Sequence, residues 1–266
     1  MSPKIPEKEK IMSNSTFFFS KVSIIPVRSD AKDQAEIVTQ LLFGEIGEIK
    51  EVKNEAWIRI KSYHDQYEGW IDPKQILKIS NTTFSQLSKR KERQTLLLNQ
   101  VQSNFGPITT VKGSFLAEGN YTLTVGNSEF SVSSQLGVRR KKSIGEIAME
   151  YINTPYLWGG RTLFGIDCSG FTQTVMREFS VELHRDASQQ VKQGREVTFE
   201  NKQIGDLAFF KNKSNKITHV GILLENNKII HASGRVKIED FNENGIYSEE
   251  LLKQTHQLAS IRRYLK

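Results

Sequence analysis

Cysteine is almost absent from this sequence: one thiol, Cys168, in 266 residues. An internal disulfide framework is thereby excluded, which fits a reducing compartment without requiring one. Long apolar runs are missing too. Nothing approaches the roughly 18 consecutive residues of a membrane-spanning helix, so no membrane insertion is expected. The first residues, Met1-Ser-Pro-Lys-Ile-Pro-Glu-Lys-Glu-Lys10, are polar and carry both charges, and Phe17-Phe-Phe19 is too short for the apolar segment of a secretory signal. On that reading the protein works in the cytoplasm, although a periplasmic or secreted form whose leader had been removed would look the same. A net charge of +7 favours anionic partners. The densest basic run, Arg139-Arg-Lys-Lys142, is only a short stretch before a helix, and Lys89-Arg-Lys-Glu-Arg93 reads as a solvated connection. With no aromatic-rich basic face beside them, no nucleic-acid partner is expected.

The single thiol sits in an informative setting. Pro155-Tyr-Leu-Trp-Gly-Gly-Arg161 leads into Gly165-Ile-Asp-Cys-Ser-Gly170, and beyond it Phe171, Val175 and Phe179 recur every four residues as one apolar helical stripe. Asp167 is placed to cap that helix, which puts Cys168 at its first position. There the unpaired N–H groups and the positive end of the helix dipole stabilise a thiolate. The competing reading is a small core residue, where free cysteines usually end up.

Two histidines change the balance. Thr218-His-Val-Gly-Ile-Leu-Leu224 and Lys228-Ile-Ile-His-Ala-Ser-Gly234 read as strands of a hairpin around Glu225-Asn-Asn227. A thiol facing two histidines on adjacent strands supplies a nucleophile, a general base and a group that orients the base. The candidate triad is therefore Cys168, His219 and His231. An isolated strand histidine is more often a core residue with satisfied hydrogen bonds. A zinc site built from the same three residues is a further alternative, against which stands the lack of closely spaced ligand pairs. Neither a metal nor another cofactor is expected. His64, His184 and His256 have no comparable context and receive no role.

The chain divides by pattern. Residues 1–19 read as an extension. From 20 to 79 come short strands, among them Gly47–Val52, Ala56–Lys61 and Gly69–Asp72, with Trp57, Arg59 and Lys61 alternating against Ile58 and Ile60; such spacing predicts a small barrel. Residues 80–142 read as a second SH3-like domain and a linker, with strands expected at 108–111, 113–116, 120–125 and 129–132. At Ser143 the period becomes helical, with Ser143 and Glu146 at capping-box spacing. Further helices are expected from Asp186 to Gly194 and from Ser248 to Gln254, and strands at 207–210, 220–224, 229–232 and 259–264. Helices first and an antiparallel sheet later predict an α+β domain over 143–266.

The ordered set Tyr-x-Trp-Gly-Gly, Asp-Cys-Ser-Gly, His-Val-Gly and His-Ala-Ser-Gly resembles the NlpC-type papain-like cysteine peptidases of bacterial cell walls. Leu183–Gln190 and Gly205–Phe210 extend the resemblance across roughly residues 143–266. Thr39–Glu45, Trp57–Ile60 and Tyr67–Ile71 resemble the bacterial SH3-like modules that precede the peptidase domain in one branch of that family. The resemblance implies a multidomain protein, small all-β SH3-like barrels followed by an α+β papain-like domain. It also implies a γ-D-glutamyl-L-diamino acid endopeptidase that acts on muropeptides with a free L-alanine amine in wall-peptide recycling, a monomer whose partner is its peptide substrate.

Within that frame His219 would hold Cys168 as a thiolate–imidazolium pair and His231 would fix the imidazole. The Cys168 backbone N–H would serve the oxyanion, with the Tyr156 hydroxyl as a second donor; Tyr156 as a core residue beside Trp158 explains the sequence equally well. Glu36, Tyr67 and Asp167 match positions that meet the substrate ammonium, and Ser169 and Asp186 match others lining the cleft. A helix cap accounts for Asp186 as well, and surface positions for Glu36 and Tyr67. An N-acetylmuramoyl-L-alanine amidase or acyltransferase on the same scaffold, or a wall-binding protein without catalysis, are the competing functions.

Overall fold

The computed structural model describes residues 16–133 and 142–265, and it separates into two compact units, residues 1–137 and 138–266. Residues 1–15 of the extension and Arg139, Arg140 and Lys141 of the basic run lie outside the described residues.

The first unit opens with β1 (Phe17–Ser20), β2 (Ile24–Arg28), β3 (Ile37–Leu42), β4 (Ile46–Val52), β5 (Ile58–Ser62), β6 (Glu68–Ile71) and β7 (Ile76–Ile79). They form one antiparallel sheet in the order β3-β2-β6-β5-β4-β1-β7. Ile58 and Ile60 turn inward while Arg59 is exposed, the period-2 pattern of a half-buried strand. The extension drawn to residue 19 is corrected: β1 pairs with both β4 and β7, and Phe18 and Phe19 are almost wholly buried. An apolar Phe-Phe-Phe run gains far more from burial, about 1.5–3 kcal/mol per ring, than from standing as a solvated tail.

Next come α1 (Asn81–Leu87), capped by the Ser80 hydroxyl, and a four-stranded sheet of β8 (Leu98–Ser103), β9 (Gly106–Val111), β10 (Asn120–Val125) and β11 (Ser128–Ser133), ordered β10-β11-β8-β9. The strand expected at 113–116 does not form. Phe115 instead donates its N–H to the Phe43 carbonyl at 2.9 Å and buries its ring, so this segment docks onto the first sheet and joins no ladder. One apolar core serves both sheets: Phe19 and Phe130 each meet Phe43, with ring centroids 5.6 and 5.2 Å away.

The second unit begins with α2 (Ile144–Met149), whose Ser143 and Glu146 form the expected capping box. A small hairpin of β12 (Arg161–Thr162) and β13 (Gly165–Ile166) leads into α3 (Cys168–Arg177), followed by α4 (Ala187–Gln190). The strands are β14 (Arg195–Val197), β15 (Leu207–Lys211), β16 (Ile217–Leu223), β17 (Lys228–Ser233), β18 (Arg235–Asn242), β19 (Gly245–Ser248) and β20 (Lys253–Arg263). Their order is β14-β20-β15-β16-β17-β18-β19, and β20 also pairs with β19, so the strands from β15 to β20 close on themselves. The helix expected over Ser248–Gln254 is therefore corrected: Ser248 pairs with Lys253 across a tight turn in which Leu252 has φ of 52°. Leu251 and Leu252 are both exposed, so the segment has no apolar face to bury; the ladder outweighs local propensity.

Closure explains why these strands read as nearly unbroken apolar runs. Leu207, Phe209, Val220, Ile222, Ile230 and Ala232 face the helices in one core, while Ala208, Phe210, Leu223 and Ile229 face the barrel interior in another. Both faces are covered, so polar alternation is lost. His219 and His231 fall on the interior parity, polar side chains among apolar neighbours.

Candidate active site

Helix α3 places the thiol. Its cap, Asp167, accepts from the Gly170 N–H at 2.6 Å, and Cys168 stands at the first helical position with its side chain almost fully buried. At that place its backbone N–H has no intrahelical acceptor. Gly170 is required by close approach: a Cβ there would stand 2.3 Å from the Gly160 carbonyl oxygen. The glycine of Asp-Cys-Ser-Gly thus lets the Trp-Gly-Gly loop lie directly on the helix start, and Asp167 N–H donates to Gly160 at 3.2 Å.

Strands β16 and β17 place the two histidines. His219 and His231 lie diagonally, because Gly221 is the residue directly opposite His231. A Cβ on Gly221 would come within 2.9 Å of the His231 Cβ, so the glycine of His-Val-Gly clears the way for the two imidazoles to meet. His219 Nε2 and His231 Nδ1 are 2.8 Å apart. His231 Nε2 continues to Glu239 Oε2 on β18 at 2.9 Å. Sequence reasoning missed Glu239, and it passed over His256, which stacks on His219 with centroids 4.2 Å apart. Neither lies in a recognisable motif; only closure of the barrel brings them in. Among the described residues no cluster of His, Cys, Asp or Glu is arranged to hold a metal, and these imidazoles direct nitrogens at each other and at Glu239.

Tyr156 lines a cavity of about 290 Å³ together with Thr218, His219, Ala232, Ser233, Gly234 and His256. Burial raises its hydroxyl pKa, and the neighbouring Cys168 adds to the shift, so the group remains a hydrogen-bond donor at neutral pH. Asp167 and Ser169 also make contacts within the protein. The Asp167 oxygens already accept from Gly159 N–H, Gly170 N–H, the Ser169 hydroxyl and both terminal nitrogens of Arg185. Ser169 Oγ also accepts from Arg185 at 2.9 Å. Both side chains are thus held in place from within the protein. Asp186 is half-buried at the start of α4, where Gln189 Oε1 accepts from its backbone N–H at 3.2 Å. In the first unit, Glu36 is exposed just before β3 and Tyr67 is half-buried just before β6, its N–H donating to Asp65 at 3.2 Å.

Burial decides the resting protonation. It pushes the Cys168 thiol up to about 12, and the Asp167 charge adds to it; Val220 and Ser169 N–H groups and Arg185 offset this only in part. Burial, with His231 and His256 nearby, holds His219 well below the usual imidazole range. Both shifts oppose the resting thiolate–imidazolium pair expected from the sequence. Alkylation of the free enzyme by iodoacetamide is accordingly expected to accelerate about tenfold per pH unit between pH 7 and 9, as thiolate content rises. A rate already flat across that interval would contradict it.

The NlpC/P60 family model matches residues 153–255, and the model of the bacterial dipeptidyl-peptidase SH3 domain matches residues 27–76. A γ-D-glutamyl-L-lysine dipeptidyl-peptidase of Bacillus subtilis is 35% identical over 125 residues, 45% of this chain and 41% of that protein. The match thus spans under half the length of that relative. A probable endopeptidase NlpC of Escherichia coli is 36% identical over 40% of this chain and 70% of its own length. The crystal structure of an NlpC/P60 family protein from Bacillus cereus superposes with a TM-score of 0.75 at 19% identity, covering 94% of this chain and 100% of that one; this likeness bears on the fold.

Proposed function

The chain belongs to the NlpC/P60 family of cysteine peptidases, and we propose that it cleaves the γ-D-glutamyl-L-diamino acid bond of peptidoglycan-derived peptides bearing a free N-terminal L-alanine. The products would be L-alanyl-γ-D-glutamate and the remaining peptide, and the setting would be cell-wall recycling in the cytoplasm. The observation that carries this reading is the combination, in one chain, of a helix-capped thiol that meets the Val220 N–H, next to one of two paired histidines, with a dipeptidyl-peptidase-type SH3 module.

The chemistry follows from the geometry. His219 Nε2 is engaged by His231, which leaves Nδ1 as the atom that takes the Cys168 proton while sulfur attacks the γ-carbonyl carbon. The resulting oxyanion is met by the Cys168 backbone N–H and the Tyr156 hydroxyl. Collapse expels the diamino-acid amine, which receives the proton from His219. Water, activated by the same imidazole, then hydrolyses the thioester and frees the thiol. A buried substrate ammonium needs anionic or acceptor partners; the family resemblance assigns that task to Glu36, Tyr67 and Asp167, and the lining of the cleft to Ser169 and Asp186.

The test uses L-Ala-γ-D-Glu-L-diamino acid peptides, with lysine or diaminopimelate, free or N-acetylated, and intact sacculi, with products identified by mass spectrometry. L-Ala-γ-D-Glu is expected from the free peptides only. Equal cleavage of acetylated peptides, or faster cleavage of sacculi, would overturn the recycling assignment. A new alanine amine on glycan-linked material would mark an amidase instead.

A further inference from the structure

Glu239 ends a hydrogen-bonded line that runs from the proposed base into the barrel: His219, His231, Glu239. On β18 it sits two residues beyond the direct partner of His231, since His231 pairs with Lys237 and Ile229 with Glu239. The carboxylate is only 8% exposed, yet both oxygens are held. Oε2 faces His231 Nε2 at 2.9 Å and Oε1 faces Lys237 Nζ at 2.9 Å. Burial alone would raise its pKa; contacts from His231, Ser248 and Lys237 outweigh burial and hold it at about 2. Glu239 is therefore ionised whenever the protein is folded near neutrality.

An ionised carboxylate only accepts hydrogen bonds, so the proton between Glu239 and His231 resides on His231 Nε2. Burial keeps His231 neutral, and a neutral imidazole has a single N–H. Its Nδ1 is then a bare acceptor, and the 2.8 Å contact must be filled by an N–H on His219 Nε2. His219 is neutral as well, which strips the proton from its Nδ1. We propose that Glu239 is the positioning residue that fixes the tautomers of His231 and, through it, of His219, so that the base presents the lone pair of Nδ1 for the thiol proton. It makes no contact with substrate. The proposal rests on the reading of His219 as the base for Cys168.

Without the negative charge the line can run backwards. The amide of Glu239→Gln can offer its NH2 to His231 Nε2, which moves the His231 proton to Nδ1 and the His219 proton to Nδ1, where no lone pair remains for sulfur. The imidazolium formed during attack also loses its anionic support.

The test is nitrogen-15 NMR of the imidazole side chains in the resting full-length protein, followed by kinetics. In the parent both His219 and His231 should carry their proton on Nε2. In Glu239→Gln an Nδ1-protonated His231 should appear, and kcat should fall by about 10²- to 10⁴-fold with KM within twofold, by analogy with loss of the carboxylate in serine-protease triads. Circular dichroism checks the fold of the variant. An Nδ1-protonated His219 or His231 in the parent overturns the proposal, as does a Glu239→Gln kcat within threefold of the parent. Should the variant not fold, the parent spectrum decides alone. Because that spectrum needs no substrate, a parent with both protons on Nε2 but no turnover would count against the peptidase reading and leave the tautomer assignment standing.

Discussion

Cys168→Ala is expected to lower kcat/KM on the γ-glutamyl peptides by on the order of 10⁶-fold, the scale seen when a covalent nucleophile is removed. No other thiol exists in the chain to substitute for it. The acceptors and donors around it stay intact: Asp167 still caps α3 through Gly170, and His219 still meets His231. Deleting one nearly buried sulfur leaves a void of about one atom and costs on the order of 1 kcal/mol, so the melting temperature should move by only a few degrees. His219→Ala is expected to cost a comparable factor, and the double variant little more than either alone, because nucleophile and base act as one unit. Steady-state kinetics on the three variants, with calorimetry as control, check this. A Cys168→Ala protein retaining more than a hundredth of parental activity would remove the nucleophile assignment.

The second large effect concerns stability. Arg185 is 1% exposed and Asp167 4%, and the guanidinium reaches both carboxylate oxygens. Replacing Arg185 by Met leaves a buried carboxylate without its cation and is expected to cost about 3–5 kcal/mol. Urea denaturation should show a lowered midpoint at unchanged slope. Adding Asp167→Asn to Arg185→Met should recover part of the loss, since the orphaned charge disappears while the amide oxygen still caps Gly170. Activity should not recover with it, because Arg185 also holds Ser169. If the double variant were less stable than Arg185→Met, the ion pair would not be the source of the effect.

Much of the candidate site was legible because its signals are local. A cap residue, a thiol and a four-residue apolar stripe define α3 without reference to the rest of the chain. The β16–β17 hairpin is written in Asn226 and Asn227, which adopt φ of 55° and 52°, the left-handed backbone that a two-residue turn needs. Phe17–Phe19 misled for the opposite reason: nothing local distinguishes a central strand from an apolar tail until β4 and β7 are known. The same holds for β20, where Ser248–Gln254 has helical spacing and only long-range pairing makes it a turn between strands. Glu239 and His256 were invisible because their roles depend on which strands become neighbours. Asp167 was legible as a cap, but its capture by Arg185, eighteen residues on, depends on the tertiary fold.

Barrel closure by β20 also sets an order of events during synthesis. A ribosome delivers the N-terminal part of a chain first, at about 5–20 residues per second. The thiol-bearing helix therefore emerges well before the strand that seals the interior around His219 and stacks His256 upon it. Until Arg263 has left the exit tunnel, the imidazole of His219 remains open to water. Completion of the second unit's interior thus waits on β20, which follows every other strand of that barrel in the chain.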